Sequence, residues 1–329
     1  MTLHPFSYVR AVDLQSALVA VQAEPGAAFI AGGTELIPLH KAGLASLTRV
    51  VDIGRLPLAT VAIDDGTLSI GALARLSDVA ANADVRREAP AVAQALLASA
   101  SPQVRHMATV GGNLLQRTRC SYFRNGLALC NKRQSASGCG AIDGENRLHA
   151  VFGASAHCVA THASDLAVAL IAADAQLRLI GPRGERRLAL QRLYRLPGDR
   201  PECETNLEPG ELITHVELRL APCMRQSSYL KLRDRESFEF AVVSVAAGLS
   251  IADGIVRAAC IAAGGVGTVP WRLPACEEAL LGARCDDESL QRAAELASVG
   301  AAPLRHNAFK VDLLPRAVLR ALLQTRDRS

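Results

Sequence analysis

The chain has 329 residues, of which 50% are hydrophobic and 21% charged, a length that points to two or three domains. A formal charge of +4 and an aromatic content of 4% argue against a nucleic-acid partner, since neither a basic face nor a base-stacking platform is available. No apolar run approaches the roughly 18–20 residues of a membrane span, which excludes membrane insertion by a helix.

The opening, MTLHPFSYVRAVDL, lacks a basic region followed by an apolar core, so the chain is expected to carry no export signal of its own. The odd number of cysteines, nine, then argues against a disulfide framework and for thiols or metal-bound thiolates. DLQSALVAVQ predicts a helix capped by Asp13, AAFIAGG a buried strand ending in glycines, and TELIPLHKAG a helix restarting at Thr34. RVVDI and TLSIGA read as strands, and EAPAVAQALLASA reads as a helix broken by Pro102 and then by a glycine pair. SDLAVALIAADAQLRLI resumes as helix and strand. Beyond about residue 228, AVVSVAAGLSIADGIVRAACIAAGG predicts two strands joined at Asp253-Gly254, the strongest hairpin signal in the chain. Three helical runs follow, LPACEEALLG, ESLQRAAELASVG and LLPRAVLRALLQTR, which together with the strands predict a separate α+β domain of about 100 residues.

Two glycine motifs could approach a ligand. In FIAGGTEL, Gly32 and Gly33 before a helix would leave backbone N–H groups free for a pyrophosphate, although a plain strand-to-helix turn fits as well and the dinucleotide fingerprint G-x-G-x-x-G is absent. In ATVGGNLL, Gly111 and Gly112 permit close approach, with Thr109 and Asn113 able to hydrogen-bond, or form a tight turn.

Cys120, Cys130, Cys139 and Cys158 lie in a segment rich in Gly, Ser, Asn and Arg, where burial alone does not explain them. No C-x₂₋₄-C knuckle occurs, and the familiar ferredoxin run is absent, so spacing leaves iron–sulfur, zinc and unligated thiols open. Cys260 and Cys276 read as core residues, while Cys203, Cys223 and Cys285 have no companion at ligand spacing. His157 and His162 read as ordinary polar residues.

FIAGGTELIPLHKAG, SIGALARLSDV, SPQVRHMATVGGN, SDLAVALIAADA and YLKLRDRESFEFAVVSVAAGL occur in order across nearly the whole chain. In this the sequence resembles the FAD-binding middle subunits of the xanthine dehydrogenase and aldehyde oxidase family of molybdenum hydroxylases. The resemblance implies an α+β fold: a two-lobed PCMH-type FAD-binding domain over 1–222, with lobes of about 1–57 and 58–222, then a CO-dehydrogenase-flavoprotein-like C-terminal α+β domain over 223–329. It implies that Ile30, Ala31, Gly32, Gly33, Thr34, Glu35 and Leu36 wrap the FAD pyrophosphate, and that Ala108, Thr109, Gly111, Gly112 and Asn113 form a second wall. Asp165 and Lys231 would meet the cofactor, their ordinary alternatives being a helix N-terminal carboxylate and a solvated strand residue.

Asn113 and Asp165 are close in most family members but are separated here by an apparent insertion of about 114–163. The segment is similar to that of periplasmic aldehyde oxidoreductases, whose FAD subunits hold a [4Fe–4S] cluster in it. The resemblance therefore implies Cys120, Cys130, Cys139 and Cys158 as cluster ligands. It further implies an electron-transfer subunit, with no residue of this chain touching the aldehyde. Its partners would be a small [2Fe–2S] subunit and a large molybdenum-cofactor subunit in a heterotrimer or higher assembly, and it would deliver electrons to an external acceptor. Export attached to a signal-bearing partner would place it in the periplasm, with the cytoplasm as alternative. Other readings are the FAD subunit of another hydroxylase or of a hydroxybenzoyl-CoA reductase, and a non-catalytic zinc-stabilised binding protein.

Overall fold

The computed structural model describes residues 5–328; the first four residues of the opening read as lacking an export signal lie outside the described residues, as does Ser329. Strands β1 (Ser7–Arg10), β2 (Ala27–Ile30) and β3 (Arg49–Asp52) pair in parallel in the order β1-β3-β2. The intervening helix Leu14–Gln22 starts where the sequence places it: Asp13 accepts from Ser16 N at 2.7 Å while Ser16 Oγ accepts from Asp13 N at 3.1 Å. Its inward residue Ala17 packs with Val51, Ile53, Leu56 and Leu58.

The second unit is a five-stranded antiparallel sheet in the order β4-β5-β8-β6-β7, formed by β4 (Val61–Asp64), β5 (Thr67–Gly71), β6 (Gln176–Gly181), β7 (Gly184–Ala189) and β8 (Leu212–Arg219). Helices Leu76–Ala81, Ala83–Glu88, Pro90–Ala98 and Asp165–Ala172 belong to its core. All eight residues of Asp165–Ala172 are buried, which explains its uniformly apolar composition beyond the first position. It packs on helix Pro90–Ala98 and also on the third sheet, so its N-terminus is held where two units meet.

That third sheet runs β12-β11-β10-β9, all antiparallel, from β9 (Ser227–Leu232), β10 (Val243–Ala252), β11 (Ile255–Gly264) and β12 (Trp271–Arg272). Asp253 and Gly254 have φ of 53° and 71°, the left-handed pair that a two-residue hairpin requires. Helices Pro274–Leu280, Asp287–Glu295 and Phe309–Arg326 cover the sheet and complete a second large core. Pro315 inside the last helix cannot donate to Val311 O, and Ser298 Oγ donates to that carbonyl instead at 2.5 Å.

Three local expectations are corrected. Pro102 does not simply break a helix: it opens a new one, Pro102–Met107, whose missing N–H costs nothing at that position. The glycine pair lies within a short helix, Val110–Leu114, rather than in a tight turn. The helix after Gly33 begins at Leu36, not Thr34, and has only six residues.

Candidate functional site

A cavity of about 310 Å³ opens where the three units converge. Thr34, Glu35, Ala108, Gly112, Asn113, Asp165 and Lys231 line it, joined by Arg119, Phe238 and Phe240. Ile30, Ala31, Gly32, Gly33, Leu36, Thr109 and Gly111 are not on its wall but belong to the two chain segments that form it. Larger depressions of about 520 and 650 Å³ elsewhere contain none of the residues singled out from sequence for cofactor or metal binding.

Close backbone packing accounts for the glycines. A Cβ at Gly32 would stand 1.9 Å from Met107 O, so only glycine lets the first loop lie on the second. Gly33 has φ +70°. Gly111 donates to Ala72 O at 2.8 Å, and a Cβ there would stand 3.1 Å from the Ala72 methyl. Thr109 is spent as a cap, accepting from Gly112 N at 3.3 Å. Asn113 Oδ1 accepts from Ser164 Oγ at 2.6 Å, and Ser164 Oγ accepts from Ala167 N at 3.0 Å, which fixes the second loop to the helix that begins at Asp165.

Asp165 is the first residue of its helix, the N-terminal carboxylate of the ordinary alternative, while Ser164 caps that helix and the Asp165 side chain also reaches across to β9. Its Oδ1 accepts from Tyr229 Oη at 2.6 Å and its Oδ2 from Lys231 Nζ at 2.7 Å. Lys231 also donates to Ala98 O at 3.1 Å, so the solvated-strand alternative is excluded for it. Burial pushes the Asp165 carboxyl above its usual range, against the pull of Lys231 and Tyr229. Tyr229 was not singled out from sequence; its signal was the period-two spacing from Lys231 along β9, which puts both on one face.

The Glu35 carboxylate, on the cavity wall, is engaged by the cysteine segment. Its two oxygens accept from Arg124 Nη2 and Arg119 Nη2, both at 2.6 Å, and Oε1 also accepts from Arg117 N at 3.2 Å. The first loop thereby grips the start of the cysteine segment.

Within that segment the backbone forms two short helices, Ser121–Arg124 and Gly140–Asp143, each preceded by a cysteine, Cys120 and Cys139. Cys130 and Cys139 face each other in an isolated antiparallel bridge, and Cys120 Sγ lies 3.1 Å from His149 Nε2. The fold brings the four thiols into one neighbourhood. Burial raises Cys120 to about 11, with Cys158 and Cys130 opposing its ionisation further. Burial also raises Cys158, with Cys139 and Cys130 adding and Lys132 countering. Cys130 packs with Leu39 and Phe123.

Side chains satisfy the irregular backbone of this segment, a role that sequence did not disclose. Asn146 donates to the carbonyls of Ala141, Ile142 and Gly144 and accepts from His306 N at 2.9 Å. Arg133 donates to those of Tyr122 and Phe123 at 2.8 and 3.0 Å and to those of Asn125 and Ala128. From the last helix and the turn that leads into it, Lys310 Nζ donates to His149 O at 3.0 Å and Gly265 O at 2.6 Å, and Asn307 Nδ2 to His149 O at 3.1 Å. All nine cysteines are free thiols. Cys223, which has no companion in sequence, has one in space: a hydrogen bond with Cys260 holds it down to about 7.

No group of three or more His, Cys, Asp or Glu among the described residues is arranged to hold a single metal ion. A tetrahedral zinc site needs sulfurs only about 3.8 Å apart, given bonds of about 2.3 Å. The zinc reading therefore finds no support.

Residues 4–219 match the family described as FAD binding domain in molybdopterin dehydrogenase, and residues 228–325 match the CO dehydrogenase flavoprotein C-terminal domain. The chain is 42% identical over 323 residues to the aldehyde oxidoreductase FAD-binding subunit PaoB of Escherichia coli (strain K12), covering 98% of each. It is 28% identical to the glyceraldehyde dehydrogenase medium chain of Sulfolobus acidocaldarius, covering 86% of this chain and 83% of that one. Among solved structures, carbon monoxide dehydrogenase from Hydrogenophaga pseudoflava superposes with a TM-score of 0.77 at 24% identity, covering 100% of this chain and 99% of that one. Quinoline 2-oxidoreductase from Pseudomonas putida 86 gives the same TM-score at 23% identity, covering 99% of each. These two share the fold.

Proposed function

Because the chain belongs to the family of FAD-binding medium subunits of molybdenum hydroxylases and is an oxidoreductase subunit, we propose that it carries electrons for an aldehyde oxidoreductase. The near-full-length likeness to an aldehyde oxidoreductase subunit is the observation that carries the substrate class. The partners would be a small [2Fe–2S] subunit and a large molybdenum subunit, where the aldehyde is oxidised with water to the acid. No residue of this chain acts on the aldehyde in this reading.

FAD bound in the cavity would supply the change between one- and two-electron chemistry that links iron–sulfur centres to an external acceptor. The residues fit such a group: two loops brought together by the close approach of Gly32 to Met107, exposed Gly112, and a buried lysine and carboxylate at the wall. Lys231 is fixed by Asp165 and Ala98 O, so its charge is presented in one place rather than on a mobile stem. In this assignment the backbone of Ile30–Leu36, with the Thr34 hydroxyl, and the stretch Ala108–Asn113 hold the cofactor, and the FAD-binding domain ends near residue 222.

In the same reading Cys120, Cys130, Cys139 and Cys158 would be the thiolate ligands of a [4Fe–4S] cluster, four thiols that the fold gathers in one segment. Each thiolate of a cubane would bind its own iron, and what supports the reading is that Cys120, Cys130, Cys139 and Cys158 lie near enough to oppose one another's ionisation. The cluster would supply one-electron storage beside the cavity, to which Arg119, the neighbour of Cys120, already belongs. Export with a signal-bearing partner would place the complex in the periplasm; no helix among the described residues is long and apolar enough to cross a membrane.

The assembled complex, assayed with aromatic aldehydes, purines and aromatic CoA thioesters, tests the substrate class. Aldehyde turnover is expected; turnover of purines or thioesters alone would move the chain to another hydroxylase or to a hydroxybenzoyl-CoA reductase.

A further inference from the structure

A small chamber of about 30 Å³ continues the main cavity beyond Asp165, sharing Arg119, Ala163, Asp165 and Phe240 with it and bounded by His162 and Ser244. Three polar atoms of its lining residues, Arg119 Nε, His162 Nε2 and Ser244 Oγ, are shut off from solvent and have no partner in the protein. The two nitrogens are donors. Arg119 Nε–H always carries its proton, and His162 Nδ1 accepts from Ser164 N at 3.3 Å, which puts the ring proton on Nε2. Burial keeps that ring neutral, lowering its pKa to about 4. The obvious acceptor in the chamber, Asp165, has both oxygens engaged by Tyr229 and Lys231.

Buried polar atoms without partners are rare because each forfeits its hydration; none of these three bonds another, so the two donors on residues lining one chamber imply an acceptor that comes from outside the chain. The space holds no more than one or two small atoms' worth of ligand, hence an atom of something larger that fills the main cavity, or water. We propose that Arg119 and His162 form a donor pocket for one oxygen of the bound flavin cofactor, either a ring carbonyl or an oxygen of its ribityl-phosphate chain. This rests on the flavin reading of the cavity. Both donors come from the inserted cysteine segment, so the segment would contribute directly to the flavin site besides carrying its thiols.

His162→Phe removes the donor while keeping an aromatic ring against Tyr194, whose ring centroid lies 4.4 Å away. Arg119→Lys removes the Nε–H but keeps a cation for Glu35. FAD affinity and the flavin midpoint potential are to be measured on the purified full chain for the wild type and both variants. Each variant should bind FAD about tenfold more weakly, the scale of one hydrogen bond to a buried group. A ring carbonyl as the occupant predicts a shifted potential as well, whereas a ribityl or phosphate oxygen predicts weaker binding at unchanged potential. Wild-type binding with affinity and potential unaltered in both folded variants would overturn the donor pocket alone and leave the chamber to water. A wild-type chain that takes up no FAD would overturn the flavin reading itself.

Discussion

Lys231 Nζ stands 2.7 Å from Asp165 Oδ2, and the two side chains are only 3% and 6% exposed. Breaking one partner of such a pair leaves an uncompensated buried charge, at a cost of about 3–5 kcal/mol. Lys231→Met should therefore lower stability by about that amount, and Asp165→Asn with Lys231→Met should recover most of it. FAD affinity should stay low in the double variant. Denaturant titration beside FAD titration checks this; full recovery of both would assign the pair to folding alone.

Gly32→Ala should expel FAD from the chain. The added methyl meets Met107 O at 1.9 Å, so the first loop must lift from the second. A stability loss of about 1–3 kcal/mol is expected for such overpacking. FAD content after purification is the readout.

Glu35 links the first loop to Arg119 and Arg124, with its side chain 15% exposed. Glu35→Gln keeps the shape but weakens two charge-assisted bonds, by about 2 kcal/mol together. Hydrogen exchange should quicken over residues 117–124 and much less in β10 and β11. Equal protection across both regions would show that the ion pairs do not hold the segment.

Lys310 is fully buried, and burial with help from Arg147 lowers its amine to about 7. An unfolded lysine titrates near 10.4, so between roughly pH 7 and 10.4 the unfolded chain binds a proton that the folded chain does not. Stability should rise with pH across that window and lose this dependence below it. Relative to Lys310→Met, the wild type should gain about 2 kcal/mol between pH 7 and 9. Parallel pH profiles for both proteins would refute the assignment.

The hairpin at Asp253-Gly254 and the capped helix from Asp13 were legible in sequence because each is set by local backbone chemistry. The two glycine loops were legible as possible ligand loops from their own residues, with a plain turn fitting as well, whereas the pair Asp165–Lys231 was legible only through motif resemblance, since 66 residues of chain separate its members. Tyr229, Arg119 and His162 were not found: each is an ordinary residue in its local string and becomes part of a site only when separate segments fold together. The support of the cysteine segment by Asn146, Asn307 and Lys310 was hidden for the same reason, with His306 lying 160 residues from Asn146.

The most direct test is the content of FAD, iron and acid-labile sulfide in this chain, separated anaerobically from its partners. One FAD with about four iron and four sulfide is predicted, and Cys139→Ser should lose the iron while keeping the flavin. FAD without iron in the wild type would contradict the cluster assignment, and absence of FAD from the folded chain would contradict the account as a whole.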